Sequence, residues 1–131
     1  MKSLVVEDDF ISRLVLQKML LPYGPCDAAV NGKEAVQAFS FAIAEKHPYD
    51  LICMDIMMPE MNGIDALKII QGKIAELGIK PENEPKIIMV TALDTPKEVI
   101  EAYYKGGCTY YLTKPINKSK IIKLLSEMEL V

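Results

Sequence analysis

No stretch of this 131-residue chain stays apolar for long enough to cross a bilayer. The run from Met1 to Glu7 lacks the separate apolar region and cleavage site of a signal peptide. Basic charge is not in excess: the net charge is -3 and Lys and Arg are dispersed, so the field that a nucleic-acid binder needs is missing. The partner expectation is therefore no nucleic acid and no membrane. Cysteine is scarce, and Cys26, Cys53 and Cys108 show no metal-ligand spacing. An odd count inside apolar runs predicts buried, reduced thiols in a cytoplasmic protein rather than disulfides. Linkers, repeats and low-complexity segments are also absent. Residues 1–131 are expected to form one domain, with an apolar fraction of 50% to supply its core.

What is present is a regular alternation. Short apolar runs at Ser3 to Val6, Cys26 to Val30, Asp50 to Met54, Lys86 to Thr91 and Cys108 to Leu112 read as strands. Between them lie helical patterns. The first starts at an Asp9 N-cap and runs to about Leu21, with Ile11, Leu14, Val15 and Met19 as its expected inward face. The second buries Ala35, Ala38, Phe39, Ala42 and Ile43 and ends near His47 and Pro48. The third, from about Gly63 to Leu77, buries Leu67, Ile70 and Ile74. A fourth begins near Pro96 and closes at Gly106 and Gly107. The last, about Asn117 to Met128, buries Ile121, Leu124, Leu125 and Met128. Five continuous apolar strands alternating with five helices predict an α/β fold, a five-stranded parallel sheet with helices on both faces.

In such sheets the binding site lies beyond the carboxyl ends of the strands. The polar residues there are Glu7 and Asp8 after the first strand, Asp55 after the third, Thr91 after the fourth and Lys114 after the fifth. Asp55 ends a buried strand, so either something bound neutralises it or the strand end opens to solvent for chemistry. Two carboxylates about 4 Å apart repel by roughly 4 kcal/mol at an effective dielectric of 20, so three together call for a cation. Oxygen-only ligands of this kind suit Mg²⁺, which shares its shell with phosphate oxygens. Glu7 and Asp8 are expected to hold the metal and Asp55 to attack phosphorus. Thr91 and Lys114 are placed to balance charge on the transferred group.

These residues resemble one family. The acidic pair after Val5 and Val6, the block from Met54 to Pro59 with Asn62 and Gly63, Thr91 with Ala92, and the run from Tyr111 to Pro115 are similar to response-regulator receiver domains of two-component signalling. The likeness covers essentially the whole chain. It implies a flavodoxin-like, CheY-like (βα)5 topology with strand order 2-1-3-4-5, and since the five strands and five helices use up residues 1–131, no output domain is expected. It implies that a sensor histidine kinase or histidine phosphotransfer protein phosphorylates Asp55. Mg²⁺, or Mn²⁺, would be bound by Glu7, Asp8, Asp55 and the Met57 backbone carbonyl. Thr91 and Tyr111 would act as a switch that reshapes the surface of the fourth helix, fifth strand and last helix for a downstream partner. Lys97, Lys105, Lys118, Lys120, Lys123, Tyr103, Tyr104 and Tyr110 give that surface a basic and aromatic character. A monomer or a weak phosphorylation-dependent dimer fits the same surface.

Two positions set local expectations. Met57 and Leu93 stand two residues past Asp55 and Thr91, where similar proteins tune phosphoaspartate hydrolysis. Both are apolar and cannot orient water, so slow self-dephosphorylation is expected. Met57 also argues against an aspartyl-phosphate phosphatase, since those enzymes carry a second acid there, and no turnover of external substrates is expected. A flavodoxin-like electron carrier would need a phosphate-binding loop where the first-strand acids lie. An inert pseudo-receiver would lack an acid or the lysine. The one histidine, His47, reads as a surface residue and not as a relay histidine. Whether the output is docking to a target or passing the phosphoryl group onward stays open.

Overall fold

The computed structural model describes residues 1–92, 96–97, 101 and 110–131. Five strands form one parallel sheet in the order β2-β1-β3-β4-β5. They are β1 (Ser3–Val6), β2 (Cys26–Ala29), β3 (Leu51–Asp55), β4 (Lys86–Thr91) and β5 (Tyr110–Thr113). Helices α1 (Phe10–Leu20), α2 (Gly32–Ala44), α3 (Gly63–Glu76) and α4 (Lys118–Glu127) cover it. The fourth helix expected from sequence, with Tyr103, Tyr104, Lys105 and Cys108, falls mostly outside the described residues. Lys97 and Glu101 are helical and exposed.

Four helices begin on the same device. Asp9, Asn31, Asn62 and Asn117 each accept a hydrogen bond from the backbone N–H three residues on, at 2.8–3.0 Å. Such a cap satisfies one of the orphan donors of a first turn. In α2, Glu34 Oε1 in turn accepts a hydrogen bond from the Val30 N–H at 3.1 Å.

The strands alternate between two apolar clusters. Leu4, Val6, Ile52, Met54, Ile87 and Met89 pack against Ala35, Phe39, Ala42, Ala66, Leu67, Ile70 and Ile74 of α2 and α3. Val5, Leu51, Cys53 and Ile88 face the other way, onto Leu16 and Leu20 of α1 and Ile121, Leu125 and Met128 at α4. β1, β3 and β4 are central and buried on both faces, which explains their unbroken apolar sequence. β2 is an edge strand, and Asp27 and Ala28 are exposed.

One expectation needs correcting. Ile11, Leu14 and Val15 do not face inward: they are 63%, 38% and 43% exposed, and Leu16 and Leu20 carry the burial of α1. The helix is apolar almost all round, so its periodicity fits more than one face. β3 lies one residue later than expected, from Leu51 through Asp55, and β5 runs one residue further than expected, to Thr113, while its expected start at Cys108 lies outside the described residues.

Candidate functional site at the carboxyl end of the sheet

Register brings the acids together. Val6 of β1 is opposite Met54 of β3, so Glu7 and Asp55 leave their strands side by side. Both are nearly dry, Glu7 at 1% exposure and Asp55 at 7%. The Glu7 N–H still bonds to the Ala29 carbonyl at 3.0 Å, which holds its backbone in line with the sheet. Ile56 N–H likewise reaches the Val90 carbonyl at 3.2 Å just past Asp55. Asp8 is exposed, yet one carboxylate oxygen from each of Glu7, Asp8 and Asp55 can be chosen so that all lie within 4.8 Å of one another.

Lys114 is delivered from the opposite side. Its N–H donates to the Thr91 carbonyl at 2.7 Å, so the chain stays tied to β4 one residue after β5 ends. The ammonium then reaches Asp55 Oδ2 at 3.2 Å and Glu7 Oε2 at 3.4 Å. One cation thus serves two buried carboxylates. Burial pushes the Glu7 carboxyl up to about 7, Asp55 pushes in the same direction through a hydrogen bond and its charge, and Lys114 opposes them only in part. Burial alone would lower the Lys114 ammonium, but Asp55 and then Glu7 outweigh it and raise it.

The donor set fits a hard divalent cation. It is all oxygen, two members are buried and one is open to water, and two carboxylates about 5 Å apart repel by roughly 3 kcal/mol at an effective dielectric of 20. The fourth expected ligand residue, Met57, has its N–H 3.4 Å from Asp55 Oδ1, and its side chain is 72% exposed.

Thr91 and Tyr111 belong to the same end of the sheet. Thr91 is buried and its hydroxyl donates to the Leu112 carbonyl at 3.3 Å, with Thr113 Oγ1 at 3.4 Å. Tyr111 lies opposite Met89, two residues before Thr91, and its ring is 38% exposed. The side-chain alternation of a strand puts Thr91, Tyr111 and Thr113 on one face of the sheet and Glu7, Asp55 and Lys114 on the other. Leu93 lies outside the described residues. His47 is exposed beyond α2, where its carbonyl accepts from Lys2 Nζ at 2.6 Å.

Some contributors were not read from sequence. Arg13 Nη1 donates to the Glu7 carbonyl at 2.9 Å and approaches that of Asp8 at 3.4 Å, pinning the loop that carries both acids. An arginine four residues after a helix cap carries no local sign of that role. Beside the site, a cleft of about 480 Å³ runs between α1 and the loop after β5, lined by Glu7 and Lys114 at its charged end and by Ile11, Val15 and Ile116.

Known proteins share this sequence pattern and fold. The response regulator receiver domain family matches residues 3–126. The chain is 35% identical over 129 residues to the chemotaxis protein CheY of Thermotoga maritima, covering 97% of this chain and 96% of that protein. Among solved structures, it is similar to the receiver domain of the histidine kinase CKI1 from Arabidopsis thaliana complexed with Mg²⁺. That match has a TM-score of 0.83 and 28% identity, covering 97% of this chain and 90% of the other. It is also similar to the co-crystal of the Saccharomyces cerevisiae phosphotransfer protein Ypd1 with the receiver domain of Ssk1. There the TM-score is 0.82 at 29% identity, covering all of this chain and 92% of the other.

Proposed function

The chain belongs to the response-regulator receiver domains of two-component systems, and from that premise we propose that Asp55 is its phosphoacceptor and that Mg²⁺, or Mn²⁺, is its cofactor. The observation that carries the reading is the position of Lys114, 3.2 Å from Asp55 and 3.4 Å from Glu7 beside the Asp8 carboxylate. A bound divalent cation would neutralise the acids and draw charge from the phosphoryl oxygens. Glu7, Asp8, Asp55 and the Met57 carbonyl are assigned to hold it. An Asp55 oxygen then forms a bond to phosphorus as the P–N bond of a phosphohistidine breaks, and the imidazole leaves with the electron pair. Lys114 follows the charge onto the phosphoryl group, and the Thr91 hydroxyl turns from Leu112 to the new oxygens.

The donor is assigned as a sensor histidine kinase or a histidine phosphotransfer protein. Ypd1, a protein of the second kind, is bound to the similar Ssk1 receiver. A protein donor has to cover the cleft mouth to reach Asp55. Phe10, Ile11, Leu14 and Val15, all exposed on α1, would leave water in that contact. On the output side, Thr91 and Tyr111 are assigned to couple the phosphoryl group to the surface of β5, α4 and the segment after Pro96. A downstream protein, or a second copy in a weak dimer, would read that surface. No turnover of external substrates and slow self-dephosphorylation complete the reading, with a cytoplasmic site of action.

The test is intact-mass spectrometry after incubation with Mg²⁺ and a small phosphodonor. One added phosphoryl group is expected, and none with Asp55→Asn or EDTA. A folded, Mg²⁺-binding protein that stays unmodified by small donors and by a panel of kinases would overturn it.

A further inference from the structure

The loop between β3 and α3 carries Met57 and reaches the N-cap of α3 at Asn62. It does not stand alone: it leans on the turn between β2 and α2, at a point with no residue in the acidic site. Gly32 N–H donates to the Met61 carbonyl at 2.9 Å. Asn31, almost buried, caps α2 with its side-chain oxygen and points its amide at Glu60 Oε2, 3.4 Å away. A Cβ placed on Gly32 would sit 2.5 Å from the Met61 carbonyl oxygen and 3.0 Å from that of Asn62. The glycine is therefore required by close approach of two backbones. On the loop side, Glu60 has a φ of 64°, a left-handed conformation that side chains avoid, and Met61 N–H closes back on the Pro59 carbonyl at 2.7 Å.

We propose that Gly32, with Asn31, is a positioning residue for the cation: its contact with Met61 sets the height of the 57–62 loop over the carboxyl end of β3, and so the placement of the Met57 backbone against Glu7, Asp8 and Asp55. This rests on the metal assignment proposed above. The loop is anchored at its two ends by strand and helix bonds, Ile56 N–H to the Val90 carbonyl and Gly63 N–H to the Ile56 carbonyl, the latter at 2.9 Å. Between those anchors the Gly32 bond is a hydrogen bond from a different element. A side chain at position 32 must push Met61 away, and with both ends fixed the displacement is taken up by residues 57–61.

The experiment is Mg²⁺ titration of the unphosphorylated protein by calorimetry, with folding checked by circular dichroism. Wild type, Gly32→Ala, Asn31→Ser and Leu125→Ala are compared. Gly32→Ala is expected to weaken Mg²⁺ binding about tenfold, the low end of what misplacing a ligand shell costs. Asn31→Ser keeps a capping oxygen, lacks the amide and is expected to weaken binding about twofold. Leu125→Ala, in the cluster under α1 and α4 and with no contact to the 57–62 loop in that cluster, lowers stability and is expected to leave the Mg²⁺ affinity unchanged. At saturating Mg²⁺, the phosphorylation rate of Gly32→Ala by a small phosphodonor should return to within about threefold of wild type, because its own carboxylates are intact. Wild-type affinity in folded Gly32→Ala overturns the inference, as does an equal loss in Leu125→Ala. If Gly32→Ala does not fold, wild-type affinity in Asn31→Ser overturns it. A wild type that does not bind Mg²⁺ overturns the metal assignment itself.

Discussion

Asp55 and Lys114, 59 residues apart in the chain, meet with their charged atoms at 3.2 Å, and Glu7 shares the same ammonium. Removing the lysine leaves two nearly buried carboxylates facing each other. Lys114→Met, which keeps the stem, is expected to lower metal-free stability at pH 8 by about 1–2 kcal/mol, discounted for a side chain that still touches water. It should slow phosphorylation by a small donor about 10²-fold, the scale of losing one charge-stabilising donor. Urea titration in EDTA and an intact-mass time course measure the two effects.

The raised Glu7 carboxyl has a signed consequence for stability. Its folded value, about 7, lies above the ordinary 4.5, so the folded state holds a proton that the unfolded chain has lost between those limits. Metal-free stability should therefore fall as pH rises from about 4.5 to 7, by roughly 2–3 kcal/mol. Glu7→Gln should flatten that slope in EDTA. Saturating Mg²⁺ should flatten it in the wild type, because the ionised carboxylate is the form a cation selects. Urea midpoints at pH 5 and 8, with and without Mg²⁺, decide it.

Glu60 holds a left-handed backbone at an exposed position, with one 3.4 Å contact to Asn31 as its visible partner among the described residues. Glu60→Gly is expected to raise stability by about 0.5–1 kcal/mol, the relief of a strained φ less the entropy that glycine adds to the unfolded chain. Thermal or urea unfolding reads it directly, and a loss of stability would mean that the Asn31 contact outweighs the strain.

Met57 is exposed two residues past the phosphoacceptor, and Leu93 holds the matching position after Thr91. Met57→Asn with Leu93→Glu is expected to shorten the phosphoaspartate half-life about tenfold, because both side chains can then orient an attacking water. Loss of the added phosphoryl mass after removing the donor gives the half-life.

Thr91→Ala removes the hydroxyl now bonded to Leu112 and leaves Asp55, Glu7 and Lys114 in place. Phosphoryl transfer should continue while the Tyr111 ring signals, followed by NMR, stop responding to it. A Tyr111 response unchanged in Thr91→Ala would separate the two residues.

Much of this arrangement was legible in the sequence because strand ends and chemistry coincide. Val5-Val6 before Glu7, and Cys53-Met54 before Asp55, mark where buried strands release polar residues into a crevice. The Asp9 cap was visible too, and α4 begins next to Asn117, close to where expected. The inward face of α1 was not legible. Phe10, Ile11, Leu14 and Val15 are as apolar as Leu16 and Leu20, and periodicity cannot tell a core from a surface that awaits a partner. The roles of Arg13 and Gly32 were hidden for another reason: they act on backbone carbonyls, which leave no signature in the residues they belong to.

The sheet's alternation has one more consequence. Glu7, Asp55 and Lys114 project toward the α1 side, and Thr91, Tyr111 and Thr113 toward the other. On the proposed roles Thr91 belongs to both sets: its hydroxyl turns to the phosphoryl oxygens, and its side chain shares a face with Tyr111. Helix α4, part of the surface proposed for targets, packs on the same face of the sheet as α1, where the donor is proposed to dock, so the two contacts share that face. A substitution at Thr91, or on the face that α1 and α4 share, is therefore expected to alter reception and output together.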